Sequence, residues 1–229
     1  MSSLAEDLFL HSAYPPNDPN AVFFGPDTYR FARFLRQVVG GAAIRTSVDV
    51  GTGTAAGANT LARACAPERV IATDVNATAL HLARANLAAA GIDAELRCSR
   101  DLDALGEPVD LIVANPPFIA GTGDRVYRDG GGLHDTRRSL DWALAGADRL
   151  APGGRFLLYT GSAIVAGRDR LREALEGTLE RRRFTLAYEE IDPDIFGEQL
   201  CEEAYRDVER IATIGAVITG ARKTTLAPK

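Results

Sequence analysis

The feature that most constrains this 229-residue chain is an alternation: short runs rich in Val, Ile and Leu recur between alanine- and leucine-rich helical segments from Ser47 onward. Residues 47–50 read as a first strand, 56–66 as a helix, 70–73 as a second strand and 76–90 as a second helix. Residues 95–98 make a weaker third strand and 109–114 a strong fourth. A helix over 136–150 stops at Pro152-Gly153-Gly154, and strands follow at 155–160, 184–191 and 211–219, with a helix at 169–179. Strands joined through helices imply a parallel sheet covered on both faces. The loop-like run from Asp192 to Leu200 makes the last two strands a hairpin-like pair at one edge. The expectation is an α/β, Rossmann-like fold: a seven-stranded, mostly parallel sheet with an antiparallel last strand and helices on both faces.

Residues 1–26 mix turn formers (Pro15, Pro16, Pro19) with Phe23 and Phe24, and are expected to form an ordered but irregular arm that can act as a lid. From Asp27, the positions Phe31, Phe34, Leu35 and Val38 share one helical face, with Gly40-Gly41 as the stop. The chain thus divides into an arm and helix (1–44), a binding and catalytic domain (45–220) and a polar tail (221–229).

The glycine loop comes next. Asp49-Val-Gly51-Thr52-Gly53-Thr-Ala-Ala-Gly57 follows the first strand and opens a helix, so backbone can approach a ligand closely where N–H groups are free. A dinucleotide fingerprint places its third glycine three residues after the second, whereas Gly57 comes four after Gly53. An acidic residue just before the first glycine suits a methionine amino group better than a pyrophosphate. Asp74 closes the second strand, about twenty residues on, where a carboxylate can accept from both ribose hydroxyls. The competing reading of Asp74 is a cap for the following helix; that of the loop is tight strand-to-helix packing. Val75 is a further cofactor-binding candidate, and the adenine is expected against Ser99, Arg100 and Asp101.

Asn115-Pro116-Pro117-Phe118 follows the fourth strand and so lies in the crevice where open α/β sheets bind ligands. Two prolines remove two donors, leaving the Pro116 carbonyl beside the Asn115 side-chain oxygen as acceptors for an N–H2 group. Holding an amine by its hydrogens aims its lone pair at an electrophile, and Phe118 packs on the reacting group. An ordinary turn is the alternative.

Asp49-Val-Gly-Thr-Gly, Asp74, Asp110-Leu-Ile-Val-Ala-Asn-Pro-Pro-Phe118 and Leu150-Ala-Pro-Gly-Gly resemble the class I S-adenosylmethionine-dependent methyltransferases of the Asn-Pro-Pro-Phe/Tyr type, over about residues 25–219. That type includes release-factor glutamine methyltransferases and several adenine or guanine N-methyltransferases. Tyr127-Arg-Asp-Gly-Gly-Gly132 resembles the loop after this motif in the release-factor enzymes. The resemblance implies S-adenosylmethionine as cofactor, its methionine part on Asp49 and the glycines, its ribose on Asp74, and the nucleophile on Asn115. Here Cys98-Ser-Arg-Asp101 stands where the family usually has one acidic residue for the adenine amine, so Arg100 and Asp101 both remain candidates. The release-factor enzymes carry a helical recognition domain ahead of the catalytic one, and about forty residues precede the first strand here, which leads us to expect a smaller substrate.

Composition narrows the partners. With 46% hydrophobic and 25% charged residues the chain reads as one globular domain, and it lacks both an apolar run of spanning length and a basic N-terminal region, so a cytoplasmic protein is expected. A net charge of −5 gives no general attraction for a phosphate backbone, and Arg181-Arg182-Arg183 reads as a solvated face rather than a nucleic-acid patch. Cys65, Cys98 and Cys201 lack metal or disulfide spacing and are expected to be small apolar fillers. Tyr159, Phe24 and Tyr127 are candidate substrate contacts; His134 and Asp135 face the same crevice in this topology. Trp142 is expected in the core, and His11 and His81 on the surface. The expected function is methyl transfer to a nitrogen of a small molecule or an amino-acid side chain. The alternatives are sulfonium-driven cyclisation to azetidine-2-carboxylate with release of methylthioadenosine, a nucleic-acid N-methyltransferase, and a non-catalytic nucleotide-binding subunit.

Overall fold

A computed structural model describes residues 1–13, 18–40, 43–99, 102–118 and 136–221. Within it the strands β3 (Thr46–Val50), β4 (Arg69–Asp74), β5 (Glu95–Cys98) and β6 (Val109–Ala114) alternate with the helices α2 (Ala56–Cys65) and α3 (Ala77–Ala89). Beyond them come α4 (Arg137–Ala147), β7 (Leu150–Val165), the short β8 (Arg168–Asp169), α5 (Arg170–Arg181), β9 (Thr185–Asp192) and β10 (Arg210–Thr219). The main order is β5-β4-β3-β6-β7-β10-β9, with β8 paired to β7. Strands β3 to β7 run parallel, while β10 is antiparallel to both β7 and β9. The expected sheet is present, with the antiparallel strand one position in from the edge.

Period-two alternation decides which side each residue serves. Val48, Val50, Ile112, Ala114, Phe156 and Leu158 enter one core with Leu171, Leu175 and Leu179 of α5 and Ala143 and Ala147 of α4. Leu111, Val113, Leu157 and Tyr159 face the opposite side, against Leu61 of α2 and Phe31, Phe34 and Leu35 of α1 (Pro26–Val38). Asp49, between Val48 and Val50, therefore points to the α2 side.

Two boundaries differ from expectation. The fifth strand is 16 residues long, because past Thr160 it keeps a partner: Gly161 to Ile164 pair with β10 from Thr213 to Arg210. At its other end Leu150 pairs with Val109, and the Pro152-Gly153-Gly154 run that was read as a helix stop lies within the strand, at an irregularity in the register. The N-terminal segment is more regular than an irregular arm: β1 (Ser2–Leu4) and β2 (Asp7–Phe9) form a hairpin. Leu4 and Phe9 bury against Phe24 and Ala32, an apolar face that sequence periodicity over three-residue strands is too short to reveal.

Asn86 of α3 holds this hairpin down. Its side-chain oxygen accepts from the Leu10 amide at 2.8 Å, and its amide nitrogen donates to the carbonyls of Leu10 and Thr54, each at 3.0 Å. The N-terminal segment and the glycine loop thus share one side chain. Among the described residues no helix is long and apolar enough to cross a membrane, and no group of three His, Cys, Asp or Glu side chains could hold a metal ion.

Candidate functional site

The strand order reverses at β3, with β4 and β5 on one side and β6 and β7 on the other, and a crevice opens beyond the carboxyl ends at such a point. Register pairs Val50 with Ala114, so Gly51 and Asn115 leave the sheet side by side. A cavity of about 260 Å³ lies there. Its lining includes Asp49, Gly51, Thr52, Gly53, Asp74, Val75 and Ser99 on the glycine-loop side and Asn115, Pro116 and Phe118 on the other. Arg100, Asp101, Tyr127, His134 and Asp135 lie outside the described residues.

Gly51 and Gly53 both have φ near +60°, the left-handed region that a side chain resists (φ +65° and +55°). A Cβ on Gly51 would also come within 2.8 Å of the Trp142 ring. Thr52 ties the loop to the sheet through its amide on the Thr73 carbonyl at 2.9 Å.

Asp49 is buried, and one oxygen accepts from the Thr52 hydroxyl at 2.6 Å and the Ala58 amide at 2.8 Å. Burial raises its carboxyl to about 6, against the pull of these two hydrogen bonds, and the Asp74 carboxylate adds to the rise. Gly57 is the residue that lets α2 approach: a Cβ there would sit 2.7 Å from Asp49 Oδ1. Asp74 is half-buried and accepts from the amides of Gly53 and Asn76, each at 2.9 Å; burial raises its carboxyl as well. The cap of α3 is Asn76, which accepts from Thr78, so the capping alternative for Asp74 gives way to a brace between two loops. Val75 stands beside it, 43% exposed, an apolar wall at the rim.

On the facing wall the Asn115 side-chain oxygen is enclosed yet has no hydrogen-bond partner among the described residues. Such an acceptor costs about 1–3 kcal/mol unless a ligand fills it. Phe118 is buried and lies across β7 at Gly161, where a Cβ would come within 2.4 Å of its ring. Its ring centroid is 5.6 Å from that of Phe196, which also lines the cavity.

Two candidate contacts are not in the lining. Tyr159 is wholly buried because it sits in mid-strand, facing α1; its hydroxyl donates to Asp27 Oδ1 at 3.2 Å and its ring packs on Phe31. Phe24 turns into the hairpin core, and its neighbour Phe23, with Ala21 and Val22, takes the cavity side. Sequence reasoning also missed residues. Trp142 packs half-buried against the core, as expected, but it also lines the cavity over Gly51, and Asp27, Thr28, Phe31 and Arg138 join that lining. The α4 helical pattern places Trp142 on an inward face, but nothing in that pattern tells an inward face from a crevice wall. Cys98 and Cys201 are exposed and so are not apolar fillers, whereas the half-buried Cys65 packs against the core between α1, α2 and the sheet. His11 is half-buried rather than on the surface, between Ser2 Oγ at 2.9 Å and the Ser12 carbonyl at 2.8 Å.

Residues 21–129 match the model of the methyltransferase small domain. The chain is 35% identical over 163 residues to a release factor glutamine methyltransferase of Deinococcus radiodurans, with 69% of this chain and 57% of that protein covered. It thus spans little more than half the length of that relative. To the protein of the same name from Bordetella pertussis it is 34% identical over 189 residues, covering 76% of this chain and 69% of the relative. Among solved structures, a methyltransferase from Pyrococcus furiosus superposes with a TM-score of 0.61 at 16% identity, over 88% of this chain and 89% of that one.

Proposed function

The chain belongs to the class I S-adenosylmethionine-dependent methyltransferases, and from that premise we propose that it transfers a methyl group to a nitrogen of a small molecule or of an amino-acid side chain. The observation that carries this reading is the enclosed, unpartnered Asn115 oxygen beside the glycine loop.

The residues fit the family's cofactor. Asp49 offers a buried carboxylate for an ammonium, Asp74 a carboxylate for vicinal hydroxyls, and Val75 an exposed apolar wall for a flat base. Bound there, S-adenosylmethionine supplies an electrophilic methyl on a sulfonium. The chain's own part is recognition and orientation. Asn115 Oδ1 accepts a hydrogen from the acceptor's N–H2 group and thereby turns the nitrogen lone pair away from itself. Phe118, held against Gly161 and Phe196, limits the tilt of the reacting group and excludes water from it. No tuned base is needed before attack, since the proton leaves a nitrogen made acidic by methylation. The relatives' printed names support an amide side chain as one acceptor within this class.

Product analysis tests the proposal. With labelled S-adenosylmethionine and an array of glutamine-containing peptides, amines and RNA, the protein is expected to yield S-adenosylhomocysteine with at least one nitrogen acceptor. Asn115→Ala should cut that rate about 100-fold while cofactor affinity stays within a few-fold. Methylthioadenosine as the main product would overturn the proposal in favour of cyclisation, and RNA as the preferred acceptor would overturn the assigned substrate class.

A further inference from the structure

We propose that Asp27 is a specificity-determining residue, a charged recognition point that selects acceptors bearing an ammonium or guanidinium group; this rests on the methyl-transfer reading of the same cavity. Asp27 occupies the first turn of α1 and lines the cavity with its side chain only 13% exposed. One oxygen, Oδ1, accepts from the Tyr159 hydroxyl at 3.2 Å and lies 3.8 Å from Arg30 Nη1. Arg30 itself is drawn to a second carboxylate, donating to Asp192 Oδ2 at 3.1 Å. The other oxygen of Asp27 makes no hydrogen bond among the described residues and is not among the enclosed unpartnered atoms, so it stays within reach of a ligand. Burial raises the carboxyl, and Tyr159 and Arg30 oppose that rise.

Satisfying Tyr159 does not account for a charge at this place. A neutral acceptor would serve the hydroxyl equally, and sequestering a carboxylate costs more than sequestering an amide. The aromatic part of the lining favours a cation as the partner of the second oxygen: Phe31, Phe118, Trp142 and Phe196 line the same cavity along with Arg138, and aromatic faces attract ammonium and guanidinium groups. The same charge repels a phosphate backbone, in keeping with the net charge of −5.

Trp142 is the single tryptophan of the chain and lines this cavity, so its fluorescence reports on occupancy. With the protein saturated by S-adenosylhomocysteine at fixed ionic strength, butylammonium and butylguanidinium are titrated against neutral butyramide. The cations are expected to bind about tenfold more tightly than butyramide. Asp27→Asn, which still accepts from Tyr159, should erase that preference while leaving S-adenosylhomocysteine affinity unchanged and the thermal midpoint no lower. Equal binding of butyramide, no saturable binding by any probe, or a cation preference that survives in Asp27→Asn would overturn the assignment. Failure of S-adenosylhomocysteine itself to bind the unmodified protein would instead remove the methyl-transfer reading, along with the inference built on it.

Discussion

In the proposed cofactor site Asp49 meets two opposite demands, burial in the unliganded protein and charge beside a bound ammonium. Its carboxyl, near 6 when folded against about 4 when unfolded, contributes stability that is complete below pH 4 and is lost as pH rises through 6. Asp49→Asn should therefore flatten that part of the pH–stability curve by roughly 3 kcal/mol, read from urea midpoints between pH 4 and 7. An unchanged slope would show that the carboxyl is not shifted. Ligand binding has the reverse sign: an ammonium beside Asp49 favours the ionised form, so affinity for S-adenosylhomocysteine should fall about tenfold per pH unit below 6. Gly57→Ala would push a Cβ to 2.7 Å from the same carboxylate and is expected to cost about 1–3 kcal/mol with weaker ligand binding; a neutral effect would mean that α2 can retreat. At this scale Asp49, Gly51 and Gly53 were legible because their backbone positions follow from strand and turn. Tyr159 and Phe24 were not, since the strand holding Tyr159 runs on past its expected end and Phe24 sits in an irregular segment, so only packing decides which face each takes.

At the scale of elements, the site depends on helices that read as plain scaffold. The apolar stripe of α1 was plain in sequence, but that its first two turns deliver Asp27, Thr28 and Phe31 to the cavity follows from how the helix lies across β7, which spacing alone does not encode. The same holds for α4, whose Trp142 closes over Gly51. Strand β7 adds the flat patch at Gly161 on which Phe118 rests, and Gly161→Ala should displace that ring. The expected result is a drop in turnover of about 100-fold with intact cofactor affinity; equal turnover would show that Phe118 plays no part in positioning.

For the molecule as a whole, the alternation of strands and helices made the parallel sheet and its carboxyl-end crevice readable, because right-handed crossovers leave few other arrangements. The hairpin β1–β2 and its clasp were not readable, since they depend on a long-range contact between Leu10 and Asn86, 76 positions apart. Asn86→Ala removes three hydrogen bonds at a buried position and should lower the thermal midpoint by about 5–10 °C. A shift below 2 °C in a thermal melt would show that the hairpin docks without it. The central claim, that the crevice where strand order reverses holds S-adenosylmethionine through Asp49, Asp74 and the glycine loop, is most directly tested by calorimetric titration of S-adenosylhomocysteine into the unmodified protein and Asp74→Ala. The account predicts one site per chain, weakened about 10- to 100-fold by the substitution. Absence of binding heat in the unmodified protein at several temperatures, or an affinity indifferent to the loss of Asp74, would contradict it.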